Sequence, residues 1–170
     1  MLSYEAKQII FGSVLGDGYY HPTNKNFKFM HTDAQYEYLM WKYNKTGADS
    51  KITKYVYSAE KSNYSHRETV TYQFTVRRAD MAELEDYFAG VVYKDGAKHK
   101  HIDRDFLDQL DPLGLMVWFF DDGVLSNTSK SIRYIRISSN AFDMDTHLLM
   151  QEYFHDKYGI KVKITQNRGY

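Results

Sequence analysis

The chain has 170 residues and a formal net charge of zero, with 22 basic residues, 22 acidic residues and no cysteine. This length suits one domain, or two small subdomains that share a core. The lack of cysteine excludes a disulfide framework and a thiolate metal site, and it agrees with a reducing compartment. With no net charge, nucleic-acid binding would require the basic residues to share one surface while the acids lie elsewhere.

The N-terminal residues 1–10 lack the basic and then apolar order of a signal peptide. No run approaches the roughly 20 apolar residues of a membrane-spanning helix. We therefore expect a soluble, intracellular protein, placed in an organelle matrix or in a bacterial or phage-infected cytoplasm.

Residues 1–111 predict alternating helices and short strands. Ser3 is a candidate N-cap, Gly18 is a candidate helix stop, and Thr32 to Gln35 fit a capping box. In chain order, the predicted elements are a helix at 3–15, extended stretches at 19–22 and 26–31, a helix at 32–44, strands at 51–58 and 69–78, a short helix at 80–89 and a charged segment.

The same order begins again at Pro112, a residue typical of the first turn of a helix. Residues 113–120 are apolar almost all round, which predicts a buried helix. The sequence thus predicts a first unit at 1–111 and a second, shorter unit at 112–170. After the helix we expect a strand at 131–138, a helix at 143–158 that buries Met144, Leu148, Gln151, Phe154 and Tyr158 on one side, and a strand at 160–165.

Alternation in the strand at 69–78 separates an apolar face from a polar face. Val70, Tyr72, Phe74 and Val76 are expected to point inward, away from threonine, glutamine and arginine. A solvated antiparallel sheet is the plain interpretation. However, the outer side chains are almost free of acids, and they are of the types that form hydrogen bonds to base edges and phosphates.

Two predicted helices end in aspartate followed by glycine: Asp17 precedes Gly18, and Asp122 precedes Gly123. Carboxylates are disfavoured at a helix C-terminus, which carries partial negative charge. A divalent cation offsets this cost, because it binds carboxylates together with the free carbonyls of the last turn. An Asx-type turn is the alternative for one such end, but the repetition in two helices favours a metal site.

The first of these helices carries Gly12 and Gly16, which lie on one face and permit close approach of a second helix. The second Asp-Gly helix is the natural partner, and crossing the two would bring Asp17 and Asp122 together at one end. Two carboxylates that share divalent metal ions are the minimal apparatus for phosphodiester hydrolysis.

Residues 10–18 (IFGSVLGDG) and 115–123 (LMVWFFDDG) both resemble the nine-residue motif of LAGLIDADG homing endonucleases of the single-chain, two-motif type. The segment from His31 to Tyr43 is similar to the second helix of the family. The segment from Lys98 to Asp103 is similar to the basic segment that leads into the second motif.

The resemblance implies an α+β fold: a pseudo-twofold pair of αββαββα units, the second one truncated, with antiparallel saddle-shaped sheets and two central packed motif helices. It implies Asp17 and Asp122 as catalytic metal ligands, assisted by the carbonyls of Gly16 and Asp121, with Lys100 as the active-site lysine. Mg²⁺ is the expected cofactor, with Ca²⁺ or Mn²⁺ as substitutes. The histidines His31, His99 and His101 do not complete a zinc ligand set.

The expected activity is site-specific cleavage of double-stranded DNA by a monomer, with completion by another chain as the alternative. A nicking or non-cleaving nucleic-acid-binding derivative, such as an intron-splicing maturase, stays open because the second unit is short. A plain α+β interaction module is a third interpretation. The expected DNA contacts are Lys25, Asn26, Lys28, Lys54, Tyr55, Tyr57, Gln73, Thr75, Arg77, Arg133, Arg136, Lys161 and Lys163.

Overall fold

The computed structural model describes residues 1–58, 68–88, 91–94, 99–127 and 133–165. Helix α1 (Tyr4–Leu15) lies at the centre of the protein. Its N-cap is Ser3, as predicted, and the Ser3 hydroxyl accepts a hydrogen bond from the Ala6 N–H at 3.1 Å. Every residue of α1 from Gln8 to Leu15 is buried, so other elements enclose the helix on all sides.

A four-stranded antiparallel sheet covers one side of α1. Its strand order is β1 (Tyr19–His21), β2 (Asn26–Thr32), β4 (Thr69–Val76) and β3 (Thr53–Tyr57). Phe29 pairs with Phe74, and their stacked rings lie 4.7 Å apart on the core side. The predicted alternation in β4 is thus confirmed at Phe74 and Val76, which are both buried.

A 3-10 turn (Asp33–Gln35) and helix α2 (Tyr36–Thr46) connect β2 to β3. The predicted capping box is wrong, because the Thr32 side chain makes no capping hydrogen bond and α2 begins only after the 3-10 turn. Helix α2 ends at Gly47, whose φ of 63° lies in the left-handed region that favours glycine.

The segment after β4 differs from the single helix predicted at 80–89. It is divided into α3 (Arg78–Met81), a 3-10 turn (Ala82–Leu84) and α4 (Glu85–Phe88), and residue 89 lies outside the described residues. Met81, Leu84 and Phe88 are buried, so each short turn still directs one apolar side chain into the core.

The charged segment that follows contains a hairpin that the sequence did not predict, formed by β5 (Val92–Lys94) and β6 (His99–His101). Lys98, with which the basic segment of the family resemblance begins, lies outside the described residues. The Lys100 N–H donates to the Ala141 carbonyl at 2.5 Å, which ties β6 to the second half of the chain. Helix α5 (Arg104–Asp108) follows.

Helix α6 (Pro112–Asp122) packs directly against α1. Its N-cap Asp111 accepts a hydrogen bond from the Gly114 N–H at 2.9 Å. A Cβ on Gly12 would overlap the Gly114 carbonyl, so the backbones approach closely where the sequence predicted a crossing. Full burial of α6 was predicted wrongly, because the Phe120 residue is 53% exposed.

Gln8 ties the beginning of α6 to the middle of α1. Its side-chain amide donates to the Gln109 carbonyl at 2.8 Å, and its side-chain oxygen accepts from the Asp111 N–H at 2.9 Å. Gln8 is itself buried, so this pair of bonds fixes α6 along α1 from inside the core.

The second half continues with an antiparallel hairpin, β7 (Gly123–Asn127) and β8 (Arg133–Ile137), and then α7 (Met144–Tyr158). Residues 131 and 132 of the predicted strand lie outside the described residues. The side predicted for α7 is wrong in its first half, since Met144 and Leu148 are exposed while Met150 and Tyr153 are buried; further along that side, Phe154 and Tyr158 pack partly buried against the core. A helix buries the face that meets its neighbours, and here α5 is the main one.

Residues 160–165 form no strand, contrary to the prediction. Alternation produces a strand only where a neighbouring strand supplies backbone partners. Within the described residues, the Val162 carbonyl instead accepts a hydrogen bond from the Gln151 side chain at 2.6 Å. Across the same described ranges, no helix is long and apolar enough to cross a membrane.

Candidate active site

The C-terminal ends of α1 and α6 lie side by side and bring three aspartates together. The Asp17 N–H donates to Asp121 Oδ2 at 3.3 Å, which joins the two helix ends directly. The Asp17 side chain is 43% exposed, whereas the Asp121 side chain is 0% exposed. Asp122 is partly buried next to both. Asp17 therefore meets the second motif directly at Asp121, the residue before the predicted partner Asp122.

Asp121 points into the first half of the protein rather than toward solvent. Its Oδ1 accepts a hydrogen bond from Lys42 Nζ at 2.7 Å, and the Lys42 side chain is also fully buried. A Cβ on Gly16 would overlap the Asp121 side chain, so only glycine fits opposite it. The Lys42 ammonium also lies 4.4 Å from the centre of the Tyr38 ring, a favourable cation–π distance.

His31 occupies the last inward-pointing position of β2 and lies between Lys42 and Asp17. His31 Nε2 is 3.1 Å from Lys42 Nζ, and His31 Nδ1 is 3.7 Å from Asp17 Oδ2. Burial, and then the positive charge of Lys42, lower the pKa of His31 to about 4. At neutral pH the imidazole is therefore uncharged.

Lys100 reaches from β6 to the C-terminus of α1, as the resemblance implied. Its Nζ donates to the Val14 carbonyl at 2.9 Å and to the Gly16 carbonyl at 3.3 Å. These are carbonyls of the last turn, where a cation offsets the partial negative charge of the helix end. Burial lowers the pKa of Lys100, and the charges of the three aspartates oppose that shift.

Burial, and then repulsion between carboxylates, raise the pKa values of Asp17 and Asp122. Burial, followed by the charges of Asp17 and Asp121, raises the pKa of Asp122 to about 7. Burial and the charge of Asp121 also raise the pKa of Asp17, while Lys42 and Lys100 act in the opposite direction. The two cations thus leave uncompensated negative charge at the helix ends, as a cation-binding site requires.

Asp17, His31 and Asp121 form a group whose ligand atoms all lie within 4.8 Å of one another, so they could hold a metal ion. However, the Lys42 ammonium already contacts both His31 Nε2 and Asp121 Oδ1. An internal cation therefore satisfies two members of this group. The more accessible oxygen donors are the Asp17 and Asp122 carboxylates, which suit a hard divalent cation.

Lys42 was not among the predicted site residues, and His31 was considered only as a zinc ligand. A signal for Lys42 was present in the sequence, because it lies on the same face of α2 as Leu39 and Thr46. A lysine on the buried face of a helix requires a charged or hydrogen-bonding partner. The sequence did not identify that partner.

We define the polar sheet face as the side of β1–β4 that points away from α1. None of the residues in these four strands is an aspartate or a glutamate. Register places Lys28 beside Thr75, and Tyr55 beside Thr71, on this face. The predicted DNA contacts that share it are Asn26, Lys28, Tyr55, Tyr57, Gln73 and Thr75.

The other predicted DNA contacts lie elsewhere. Lys54 pairs with Tyr72 and its ammonium lies 5.9 Å from the Tyr72 ring, which places it on the opposite face of the sheet. Lys25 forms an ion pair with Glu85 at 2.6 Å, and Arg77 forms one with Asp49. Arg136 is exposed on β8, Lys161 and Lys163 are exposed outside any strand, and the Arg133 side chain lies outside the described part of the molecule.

The fold has a counterpart among solved structures. The homing endonuclease I-WcaI bound to its DNA recognition sequence superposes with a TM-score of 0.74 at 19% sequence identity, covering 99% of this chain and 74% of that chain. An antiparallel sheet beside two packed helices with acidic ends is thus the fold of a homing endonuclease.

The family follows from the sequence match. The model for the LAGLIDADG DNA endonuclease family matches residues 7–170, and the chain belongs to that family. The predicted resemblance is confirmed.

Curated relatives include proteins named RecA. The one from Mycolicibacterium flavescens is 26% identical over 179 residues, covering 98% of this chain and 39% of that protein. The one from Mycobacterium shimoidei is also 26% identical over 179 residues, covering 96% of this chain and 38% of that protein. The chain therefore spans about two fifths of the length of these relatives.

Proposed function

We propose that this chain is a site-specific endonuclease that uses Mg²⁺ to cut double-stranded DNA, with Asp17 and Asp122 as the catalytic metal ligands. The observation that carries the proposal is the convergence of these carboxylates at the adjoining ends of α1 and α6, beside an acid-free sheet. Their pKa values are raised first by burial and then by the charges of the neighbouring carboxylates, a repulsion that a bound cation would relieve.

The polar sheet face is the proposed DNA-binding surface. Its threonine, asparagine, glutamine and tyrosine side chains suit hydrogen bonding to base edges, and Lys28 suits a phosphate. The lack of acids in its strands removes repulsion of the phosphate backbone. The neutral net charge of the chain is then compatible with DNA binding, since strands β1–β4 carry no acid.

Each residue of the proposed site has a distinct task. Asp17 and Asp122 would hold divalent ions, with the Gly16 and Asp121 carbonyls as further oxygen donors. Bound divalent ions supply an activated water and stabilise the leaving oxygen of a phosphodiester. Lys100 keeps positive charge near the three carboxylates and fixes the end of α1 through its two carbonyl contacts.

The proposed organisation is a first unit at 1–111 and a second unit at 112–170 that together present both aspartates. Helix, hairpin and helix recur in each: α1, β1–β2 and α2 in the first, and α6, β7–β8 and α7 in the second. Both aspartates would then serve one monomer on one DNA duplex. I-WcaI is bound to its DNA recognition sequence, which supports DNA as the partner.

Incubation with a randomised double-stranded DNA library and Mg²⁺, followed by sequencing of the ends, tests the proposal. We expect breaks enriched at one extended sequence with the wild-type protein, and no breaks with Asp17→Asn. Asp86→Asn is the matched control, because Asp86 is an exposed acid on α4. Wild-type protein that is folded but leaves every sequence uncut, or equal cutting by Asp17→Asn, would refute the proposal.

A nicking enzyme is the second candidate, and one observation favours it. Both Asp17 and Asp122 are influenced by the same two cations, Lys42 and Lys100, and both lysines belong to the first half of the chain. Since the described second half contributes no lysine of its own to these aspartates, the two DNA strands could be cut at unequal rates. Counting nicked and linear products from a supercoiled plasmid that contains the target distinguishes nicking from double-strand cleavage.

A further inference from the structure

The site contains a ring of contacts that links the main chain of Asp17 to its carboxylate through three other side chains; the last contact, from His31 Nδ1, is longer than a hydrogen bond. The Asp17 N–H donates to Asp121 Oδ2 at 3.3 Å, and Asp121 Oδ1 accepts from Lys42 Nζ at 2.7 Å. Lys42 Nζ lies 3.1 Å from His31 Nε2, and His31 Nδ1 lies 3.7 Å from Asp17 Oδ2. The ring thus begins at the main chain of Asp17 and ends at its carboxylate.

Elementary donor and acceptor rules fix the direction of each contact. A lysine ammonium has only donors, so the Lys42 contact requires an unprotonated His31 Nε2. The hydrogen of the neutral imidazole is then on Nδ1, the atom that faces Asp17 Oδ2. The N–H group of the imidazole therefore points toward the Asp17 carboxylate. Its partial positive charge favours one orientation of that carboxylate.

Burial makes the ring rigid. The side chains of Lys42 and Asp121 are 0% exposed and that of His31 is 1% exposed, so water does not compete for these contacts. Four separate elements contribute: α1, β2, α2 and α6. The Asp17 side chain, 43% exposed, is the one place where the ring reaches solvent.

We infer that Lys42 and His31 are positioning residues that hold the Asp17 carboxylate in its productive orientation; this inference rests on the proposed nuclease function. Asp121 links them to the Asp17 main chain. A carboxylate of the second motif thus helps to position the aspartate of the first motif. Lys42 also fills the space beside His31 and Asp121, which directs a divalent ion toward Asp17 and Asp122 instead.

A purely structural role for the ring predicts that any stable variant works normally. Lys42→Met alone would leave Asp121 buried and unpaired, and it could fail to fold. The double variant Lys42→Met/Asp121→Leu removes both charges and avoids that penalty. His31→Phe removes the contact with Asp17 but keeps an aromatic ring of similar shape, and Lys42→Arg retains the cation.

The control is Lys45→Met, the same chemical change one turn along α2 at an exposed lysine that pairs with Glu5. For each variant we would measure the melting temperature, the DNA affinity in Ca²⁺ and the single-turnover cleavage rate in Mg²⁺. Mn²⁺ binding without DNA, followed by electron paramagnetic resonance, provides a readout that does not depend on cleavage.

We expect His31→Phe and the double variant to bind target DNA as the wild type does but to cleave it about 100-fold more slowly, the typical effect of misplacing a reacting group by about 1 Å. Mn²⁺ affinity should fall in parallel, Lys42→Arg should recover part of both, and Lys45→Met should change neither. Folded variants with wild-type cleavage rates and Mn²⁺ affinity would overturn the inference.

The proposed function and the inference can fail separately. If the wild type binds DNA and Mn²⁺ but never cleaves, the nuclease proposal fails, and the Mn²⁺ affinities alone decide the inference. Weaker Mn²⁺ binding by the folded double variant would then support positioning of Asp17 by the ring. Unchanged Mn²⁺ binding would refute it.

Discussion

Replacement of Gly12 by alanine tests the close crossing of α1 and α6. Alanine is the better helix former by about 0.8–1.0 kcal/mol, so propensity alone predicts a more stable protein. In this structure the added Cβ would overlap the Gly114 carbonyl and lie 2.9 Å from Val117 Cβ. A carbonyl of the main chain cannot rotate away, so α6 must shift as a whole.

Overpacking of a core costs about 1–3 kcal/mol, and a main-chain collision belongs at the upper end of that range. After the propensity gain of about 1 kcal/mol is subtracted, Gly12→Ala should lower the free energy of unfolding by about 2 kcal/mol. For a chain of this size, such a loss corresponds to a melting temperature about 4–8 °C lower.

Gly114→Ala is the control at the same interface. Its Cβ would meet Leu110 Cδ2 at 2.8 Å and the Gln8 side-chain oxygen at 2.7 Å; these are side-chain atoms rather than main chain, and the main cost is a weakened hydrogen bond from the Asp111 N–H to Gln8, which the gain in helix propensity largely offsets. We expect it to stay within about 1 kcal/mol of the wild type. Urea unfolding at 25 °C, followed by the fluorescence of the buried Trp118, measures both variants. A Gly12→Ala protein more stable than the wild type would show that the helices are not in close contact.

Three further predictions concern charge and burial. Because the pKa of Asp122 rises from its ordinary 3.8 to about 7 on folding, the contribution of Asp122 to the stability of the metal-free protein should fall as pH rises from about 4 to 7, whereas His31, with its pKa lowered to about 4, contributes in the opposite direction. Melting curves of Asp122→Asn should lack that loss; an identical pH profile would contradict the assignment. Lys28→Ala should reduce the slope of log affinity for DNA against log salt by about 0.9, as expected for one phosphate contact, whereas Lys45→Ala should leave it unchanged. Met150→Ala should cost about 2–5 kcal/mol in urea unfolding, while Met144→Ala should stay within about 0.5 kcal/mol; equal losses would mean that α7 buries the face first predicted.

The features that sequence predicts well here are local. An aspartate followed by glycine marks a helix end whether or not the partner helix is known, and Gly12 and Gly16 mark a face that a helix can approach. The strand at 69–78 is likewise predicted by alternation, which depends on residues two apart. These patterns were sufficient for the motif helices, the first sheet and the family.

The buried part of the site could not be predicted from local sequence patterns. Lys42 and Asp121 are 79 residues apart, and neither has a local pattern that names the other. A lysine on the buried face of α2 indicates only that a polar partner is needed. The fold brings Asp121 to that position. The hairpin that carries Lys100 was missed because its strands of three residues are too short for an alternation to be recognised.

Errors in the second half share one physical cause. Met144, Leu148 and the alternate residues Ile160, Val162 and Ile164 are apolar, and their spacing predicts burial. Burial requires a neighbour to pack against, and the main described neighbour of α7 is α5, which belongs to the first unit. Helix α7 therefore turns Tyr153 inward and leaves Met144 61% exposed.

The buried amide of Gln8 has a consequence for how such proteins can be recombined. Since it binds the Gln109 carbonyl and the Asp111 N–H, it sets where α6 begins relative to α1. A helix advances about 1.5 Å and turns about 100° with each residue, so the number of residues between this tie and each aspartate decides whether the two meet. A hybrid made from this first half and the second half of a relative should therefore tolerate altered loops and altered side chains. It should not tolerate one residue gained or lost within either helix. The hybrid would then keep both aspartates, but their side chains would point in different directions.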